Sequence, residues 1–333
     1  MKYQDILREL KAGTYRPIYF LMGEEAYFID EIVRFIEKRA LPEDQQSFNQ
    51  TILYGRDTDI QTVIGEAKRY PMMADRVVVI VKEAQHLRKL EELESYAANP
   101  QPSTVLVLAH KYKSLDKRKK LYKTLSNAHV LMESKKLYDN QIPDWIARNL
   151  AERGYNATPK AIHLLGESLG NDLGRIDNEL HKLELVVPKG QTIDDEAVEQ
   201  NIGISKDYNN FELINALGSR DFGRAMQIQR YFAANPKDNP LVVTVSLLFG
   251  YFSKLMLIHQ AKDKSPSGLA SLLKVNPYFV KDYQKGATQY DLKKLARIIS
   301  YLRECDMRSK GVGNVSTSDS DLLKELIFKI IYT

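Results

Sequence analysis

Residues that could take part in nucleotide chemistry stand near the start of the chain, where an apolar segment leads into Gly23 and then into a helical pattern. Phosphate-binding loops with the motif Gly-x-x-x-x-Gly-Lys-Ser/Thr occupy such a strand-to-helix turn, because the lysine reaches the phosphates and the hydroxyl binds Mg²⁺. Counted from Gly23, the last three positions of the motif hold Phe28, Ile29 and Asp30. The turn therefore lacks both groups that would bind a nucleotide–magnesium complex.

Two acidic residues, Glu24 and Glu25, directly follow this glycine. Their carboxylates stand where phosphate would lie, at the positively charged end of the following helix. They compensate that charge themselves and would repel a nucleotide. Gly23, Glu24 and Glu25 are therefore predicted to mark a degenerate nucleotide pocket, and we expect no cofactor.

A second degraded motif lies at the end of the predicted strand 77–82, which runs into Lys82 and Glu83. An active nucleoside triphosphatase carries Asp-Glu here, for magnesium and for the attacking water. Lys82 would repel Mg²⁺, and Glu83 is left with nothing to activate. Such a pair at a strand end is ordinary solvated surface by itself, so its value comes from its order after the glycine turn.

The elements that position these residues alternate between strand and helix up to residue 137. The β-branched run at 77–81 is typical of a strand that is buried on both faces of a parallel sheet. We therefore expect a doubly wound α/β domain with right-handed crossovers. The predicted strands are 17–22, 48–54, 77–82, 103–109 and 128–133, and the predicted helices are 25–40, 58–69, 86–98 and 117–126.

The pattern after residue 137 is helical, and no further strand is predicted. The helix at 171–187 is expected to bury Leu173, Ile176, Leu180 and Leu183 on one face. The sequence thus predicts an α/β plus all-α protein with domains at 1–138, 139–205 and 206–333. The other predicted helices are 141–153, 159–169, 194–201, 210–218, 221–233, 240–262, 277–286, 290–310 and 318–332, with a loop at 264–268.

The composition is that of a globular protein, since 44% of the 333 residues are hydrophobic and 27% are charged. No apolar run approaches 18 residues, and the polar N-terminus is not a signal peptide, so no membrane contact is expected. A single cysteine, Cys305, excludes a disulfide scaffold and fits the cytoplasm. The six histidines have no metal-ligand spacing, so no metal is predicted.

Two further positions resemble an AAA+ ATPase that has lost its catalytic groups. AAA+ proteins carry an arginine three residues after a glycine at the start of a lid helix, whereas this chain has Leu173 after Gly170. Arg175 lies on a different face of that helix, where we expect a surface ion pair. Residues 133–136 lack the arginine of a trans-acting finger. The four losses occur in the correct order, and they indicate a binding protein rather than a turnover enzyme.

Four segments together are similar to the delta-subunit family of bacterial DNA polymerase III, at 19–27, 116–122, 170–183 and 309–311. The resemblance implies an AAA+-like domain with a degenerate P-loop, a three-helix lid and a C-terminal helical collar. It implies a non-catalytic subunit of the holoenzyme in the cytoplasm, at the replisome. The implied partners are the ring-shaped beta clamp, the gamma/tau ATPases and delta-prime in a pentameric clamp loader, and primed DNA without sequence preference.

The same resemblance assigns clamp binding to the connection Tyr70-Pro71-Met72-Met73. In the family, two apolar residues at this point enter a hydrophobic pocket of the clamp. Two large apolar residues in a short polar connection cannot easily both face inward, and Pro71 ends the preceding helix. The residues alone leave open that one methionine packs beneath the strand and only the other is exposed.

Basic residues suggest contact with DNA or a neighbouring subunit at Lys117, Arg118, Lys119, Lys120 and Lys310. Such a run is also typical of a solvated helix face. Residues 254–310 contain twelve Lys/Arg against five acids, which fits weak, salt-sensitive phosphate contact. The aromatic residues at 251, 252, 278, 279 and 283 are expected in the core. Two alternatives stay open, an active AAA+ ATPase with an aberrant P-loop and a DNA-binding scaffold.

Overall fold

The computed structural model describes residues 1–205 and 207–333, which form two compact units, Met1–Leu137 and Tyr138–Thr333. The predicted boundary between the second and third domains adjoins Lys206, which lies outside the described residues. The division into three domains stays a prediction.

The first unit contains a five-stranded sheet in the order β2-β3-β4-β1-β5, in which every neighbouring pair is parallel. All five predicted strands are present. The strands are β1 (Ile18–Gly23), β2 (Gln50–Tyr54), β3 (Val77–Lys82), β4 (Thr104–Lys111) and β5 (Val130–Ser134). The helices are α1 (Tyr3–Lys11), α2 (Ala26–Arg39), α3 (Glu43–Asn49), α4 (Ile60–Ala67), α5 (Leu93–Ala98) and α6 (Lys120–Ala128).

Both faces of this sheet are covered, which explains the continuous apolar runs of β1, β3 and β4. Alternate residues of β1 point to opposite sides, so Phe20 packs in one core and Leu21 in the other. One core contains apolar residues of α1 and α2, and the other contains apolar residues of α4, α5 and α6. The expected doubly wound arrangement is confirmed.

Three local predictions in this unit were wrong. The predicted helix 86–98 is two short 3-10 helices and then α5, because Glu83 and Lys89 have positive φ angles of 54° and 55°. The predicted helix 117–126 begins only at Lys120. The predicted strand 48–54 includes the end of α3, a seven-residue helix whose polar sequence carries little apolar periodicity.

The second unit begins with α7 (Ile142–Glu152), α8 (Pro159–Leu169), α9 (Leu173–Val186) and α10 (Asp195–Ile202). The expected buried face of α9 is confirmed, because Leu173, Ile176, Leu180 and Leu183 are all fully buried. The expectation that strands end after residue 137 was wrong, since β6 (Asn156–Ala157) pairs in parallel with β7 (Thr192–Ile193). Two-residue strands are too short to show a period of two.

The remaining helices are α11 (Asn210–Gly218), α12 (Phe222–Ala234), α13 (Leu241–Gln260), α14 (Pro266–Leu273), α15 (Val280–Gln289), α16 (Leu292–Ser309) and α17 (Asp319–Ile331). The predicted loop 264–268 was wrong, because Ser265 accepts a hydrogen bond from the backbone N–H of Gly268 and so caps α14. Proline at the first helical position favours this start.

Helix α13 is long and apolar enough to cross a membrane by length and composition, so the expectation of no such segment is corrected. Its buried residues, among them Leu248 and Phe252, pack into the core that α11, α12 and α14–α17 share. We therefore interpret α13 as the central helix of this helical core.

A half-buried titratable pair lies on α8, where Nε2 of His163 is 3.7 Å from Oε1 of Glu167. Burial raises the pKa of Glu167 to about 8, against a smaller opposite effect of the backbone hydrogen bond from Phe211. Burial, followed by the nearby charge of Lys254, lowers the pKa of His163 to about 4. Burial raises the pKa of Tyr283, and the negative charge of Glu167 raises it further. At neutral pH both members of the pair are predominantly uncharged.

Candidate functional site

The predicted nucleotide turn is too short to surround a phosphate. Strand β1 ends at Gly23 and α2 starts at Ala26, so only Glu24 and Glu25 lie between them. Gly23 has φ of 124°, and a Cβ at this position would lie 2.0 Å from the carbonyl oxygen of Ser134. The glycine is therefore required by the close approach of β1 to the end of β5.

The backbone N–H groups of this turn already have partners within the chain. The N–H of Gly23 donates to the Lys113 carbonyl at 3.2 Å, and the N–H of Glu24 donates to the Ser134 carbonyl at 3.0 Å. The carboxylate of Glu25, which is 7% exposed, accepts from the N–H of Tyr27 at 3.1 Å. These donors would have to bind phosphate in a functional loop, and here they stabilise the fold instead.

The charged residues around this turn are paired as well. Lys82 contacts Glu37 at 2.9 Å, and Glu83 contacts Arg56 at 3.2 Å. Asp30, which stands at the hydroxyl position of the motif, contacts Lys111 at 2.6 Å. Among the described residues no group of three or more His, Cys, Asp or Glu side chains could hold a metal ion.

The predicted clamp-binding connection lies at the amino-terminal ends of the parallel strands, because residues 70–76 precede β3. The nucleotide turn follows β1 and so lies at their carboxyl-terminal ends. Met73 is 99% exposed, Met72 is 57% exposed and Tyr70 is 77% exposed. Pro71 is half-buried. Both methionines therefore face solvent, and the alternative in which one packs beneath the strand is not what the structure contains.

Two residues of α3 belong to this region and were missed from the sequence. Phe48 is 63% exposed, and the buried Asn49 hydrogen-bonds the backbone of Met72. The prediction of a strand from residue 48 concealed them. Phe48 and Asn49 can be recognised as part of this region only once α3 and the 70–76 connection are known to be neighbours.

Most of the predicted basic contact residues are neutralised by carboxylates that other elements supply. Lys117 pairs with Glu133, Lys119 with Glu91, and Lys120 with Glu94. The remaining pairs are Arg118 with Asp116 and Lys310 with Asp306. The hydrogen bond that Lys117 donates to Glu133 raises the pKa of Lys117, and the one that Lys119 donates to Glu91 raises the pKa of Lys119. These pairs are exposed, so each contributes little to stability.

A different set of cations is free of such partners. Within the described part of the chain, nine basic residues between 262 and 303 have no carboxylate within ion-pair distance, in contrast to the 117–120 run. They are Lys262, Lys264, Lys274, Lys281, Lys285, Lys293, Lys294, Arg297 and Arg303. Tyr278 lies in the same region and is 63% exposed, so its expected place in the core was wrong. Tyr251, Phe252 and Phe279 are buried as expected.

Helix α9, the predicted lid helix, starts without the arginine that an active AAA+ ATPase carries three residues after the glycine. Leu173 is buried, and Asp172 caps the helix by accepting from the N–H of Arg175 at 3.0 Å. The Arg175 side chain is exposed, but no carboxylate of the described residues pairs with it, so the expected ion pair is absent. In place of that pair, Arg153 contacts both Asp177 and Glu184.

The fold and these regions define a class of protein, an AAA+-like α/β unit with a closed nucleotide turn, followed by helices. The family described as "DNA polymerase III, delta subunit" matches residues 19–135, and its C-terminal domain matches residues 207–328. DNA polymerase III subunit delta of Bacillus subtilis (strain 168) is 31% identical over 339 residues, which are 97% of this chain and 94% of that protein. The chain belongs to the DNA polymerase III delta-subunit family.

One solved structure has a similar fold over the whole chain. The Bacillus subtilis DNA clamp loader delta protein has a TM-score of 0.54 and 24% identity, covering 99% of this chain and 100% of that one. The Thermotoga maritima RuvB Holliday junction branch migration motor gives a TM-score of 0.36 and 13% identity, covering 86% of this chain and 85% of that one. The second similarity is too low to support any argument about function.

Proposed function

We propose that this delta-family subunit binds the ring-shaped beta sliding clamp and opens it for loading onto primed DNA, without hydrolysing ATP itself. The single observation that carries the proposal is the pair of exposed methionines, Met72 and Met73, at the end of a folded α/β unit. A flexible, polarizable methionine side chain fills an irregular apolar pocket well. Exposure of two apolar side chains to water is unfavourable, so their burial in a partner's pocket would lower the free energy.

Clamp opening requires more than tight binding. A ligand shifts an equilibrium only through its different affinities for the two states, so the 70–73 segment must fit the open clamp better than the closed one. A rigid support for the 70–73 segment favours such a difference in affinity, because it holds the segment and the clamp pocket bound to it in one geometry. Residues 70–76 are attached to such a support, since β3, which they precede, is buried between β2 and β4.

The absence of ATP hydrolysis is supported by the closed turn at Gly23. Both a short connection and occupied N–H groups argue against phosphate binding, and Lys82 stands where a magnesium ligand would be required. The alternative of an active ATPase with an aberrant P-loop would need this turn to rebuild. We expect the energy for the loading cycle to come from the gamma/tau subunits.

Association with gamma/tau and delta-prime in a pentamer is proposed to use the C-terminal helices. Helix α13 buries one side in the helical core, but four of its apolar residues remain exposed. These are Val242, Val243, Phe249 and Leu257, which are between 41% and 51% exposed. A central helix with an apolar stripe on its outer side is typical of a helix that packs against a partner. This assembly would place the protein in the cytoplasm, at the replisome.

Contact with primed DNA is proposed to rely on the nine unpaired cations between 262 and 303 rather than on residues 117–120. An unpaired lysine or arginine can bind phosphate directly. The cations at 117–120 would first have to break their ion pairs with carboxylates of this protein. Such contacts would be independent of sequence and sensitive to salt. Because these nine cations could bind DNA without any clamp, a DNA-binding scaffold remains a second candidate function.

Surface plasmon resonance with immobilised cognate clamp, in the absence of nucleotide and DNA, tests the proposal. Wild-type protein should bind, and the Met72→Ser/Met73→Ser variant should lose most of its affinity. Tyr54→Ser serves as a control, because Tyr54 is 49% exposed but lies at the carboxyl-terminal end of β2, away from the 70–76 connection. Absence of binding by folded wild-type protein would favour the scaffold function.

A further inference from the structure

One buried side chain controls the backbone at the centre of the 70–76 connection. Asn49, which is 2% exposed, stands at the end of α3. Its Oδ1 accepts from the N–H of Met72 at 2.7 Å, and its Nδ2 donates to the carbonyl of Met72 at 2.9 Å. The same Nδ2 donates to the carbonyl of Gln45 at 3.2 Å. The amide group therefore holds both backbone polar groups of one residue, as a neighbouring strand would.

The residue next to this contact has an unfavourable backbone conformation. Met73 has φ of 52°, a left-handed conformation that non-glycine residues adopt only at a cost. Such a conformation persists when the surrounding structure fixes it. Because Met73 is 99% exposed, its own side chain has almost no contacts within the protein that could do so. The constraint must come from the backbone on either side.

The ends of the connection are fixed by two arginines. Arg69 donates to the carboxylate of Glu66 at 2.8 Å, and Glu66 also accepts from Thr51 of β2. Arg76 lies over the ring of Tyr15, 4.5 Å from its centroid. Between these ends, Asn49 holds Met72 on one side of Met73, and Ala74 on the other side packs against the core that contains α1 and α2. Removing Asn49 would free the middle of the connection while both ends stay attached.

We propose that Asn49 is a positioning residue for clamp binding, which holds Met72 and Met73 in the bound geometry before the clamp arrives. The inference rests on the proposed function, since it concerns the same two methionines. An unconstrained connection would be competent for only a fraction of the time, and the apparent affinity would fall by that fraction. The loss should therefore appear in the association rate rather than in the dissociation rate.

The test compares Asn49→Ala with Gln46→Ala in nucleotide-free binding to the cognate clamp. Gln46 is the matched control, because its side-chain amide also bonds a backbone carbonyl, that of Leu41, without touching the connection. Asn49→Ala should weaken binding about 5- to 30-fold through slower association, the range expected for losing two hydrogen bonds that preorganise the site. Gln46→Ala should change binding less than about 2-fold. Asn49→Asp should weaken binding at least as much as Asn49→Ala, because a carboxylate oxygen would face the carbonyls of Met72 and Gln45 in place of the Nδ2 donor.

A double-mutant cycle with Met73→Ser separates positioning from a general loss of structure. If Asn49 acts through Met73, its substitution should cost much less in the Met73→Ser background. An equal cost in both backgrounds, or wild-type binding by Asn49→Ala, would overturn the inference and leave the proposed function intact. Unchanged binding by Met72→Ser/Met73→Ser would instead reject the proposed function. Circular dichroism of each variant establishes that it is folded, and Asn49→Ser, which removes the amide without introducing a charge, replaces Asn49→Ala if the latter is not.

Discussion

The two methionines of the 70–76 connection should contribute unequally to clamp affinity. Full burial of a methionine side chain is worth about 1.5–3 kcal/mol. Met73 is 99% exposed, so nearly all of this remains to be gained on binding, and Met73→Ser should weaken binding about 10- to 150-fold. Met72 is 57% exposed, so Met72→Ser should cost about 0.9–1.7 kcal/mol, or about 5- to 20-fold.

The assay is titration of a fluorescently labelled cognate clamp with each variant, without nucleotide, at fixed salt. Thermal melting of each variant serves as a control. Met73→Ser should leave the melting temperature unchanged because Met73 is 99% exposed, and Met72→Ser should lower it only slightly because Met72 is 57% exposed. The order of the two effects is the decisive quantity. A larger loss for Met72→Ser than for Met73→Ser would refute the reasoning from exposure, and no loss for either would move the clamp site elsewhere.

Four further predictions concern other parts of the molecule. Burial raises the pKa of Glu167 to about 8 in the native state, whereas its ordinary pKa of 4.5 applies in the unfolded state. Between these two values the native state holds a proton that the unfolded state has released. Stability should then be lost as the pH rises towards 8, by about 1–2 kcal/mol between pH 6.5 and 8, and urea unfolding of Glu167→Gln should lack this loss. Isothermal titration should detect no ATP binding at millimolar concentration, and Gly23→Ala should lower the melting temperature, because its Cβ would collide with Ser134. Phe249→Ser should reduce co-purification with gamma/tau and delta-prime, and unchanged recovery would contradict the proposed use of α13.

The sequence was sufficient for those features that depend on local pattern. The apolar runs of β1 and β3 predicted a parallel sheet, and the spacing of Leu173, Ile176, Leu180 and Leu183 predicted the buried face of α9. The absence of nucleotide chemistry, which the missing lysine and hydroxyl after Gly23 indicate, stays a prediction. Each of these inferences needs only the residues within one or two elements.

Features that depend on distant residues could not be predicted in this way. Residues 117–120 read as an unbalanced basic run, because Glu91, Glu94 and Glu133 approach them only in the folded sheet. The contact between Asn49 and Met72 spans 23 residues and depends on α3, whose polar sequence has little periodicity. The closed nucleotide turn likewise depends on the approach of β5.

The most direct test of clamp opening is release of a clamp from circular DNA. Labelled cognate clamp would first be loaded onto nicked circular DNA, and its loss would then be followed after addition of this protein alone, without ATP. If this subunit opens the clamp, release should accelerate with protein concentration and should be strongly reduced by Met72→Ser/Met73→Ser. Binding to the clamp with no acceleration of release would contradict clamp opening, because a subunit that only attaches to the ring does not open it.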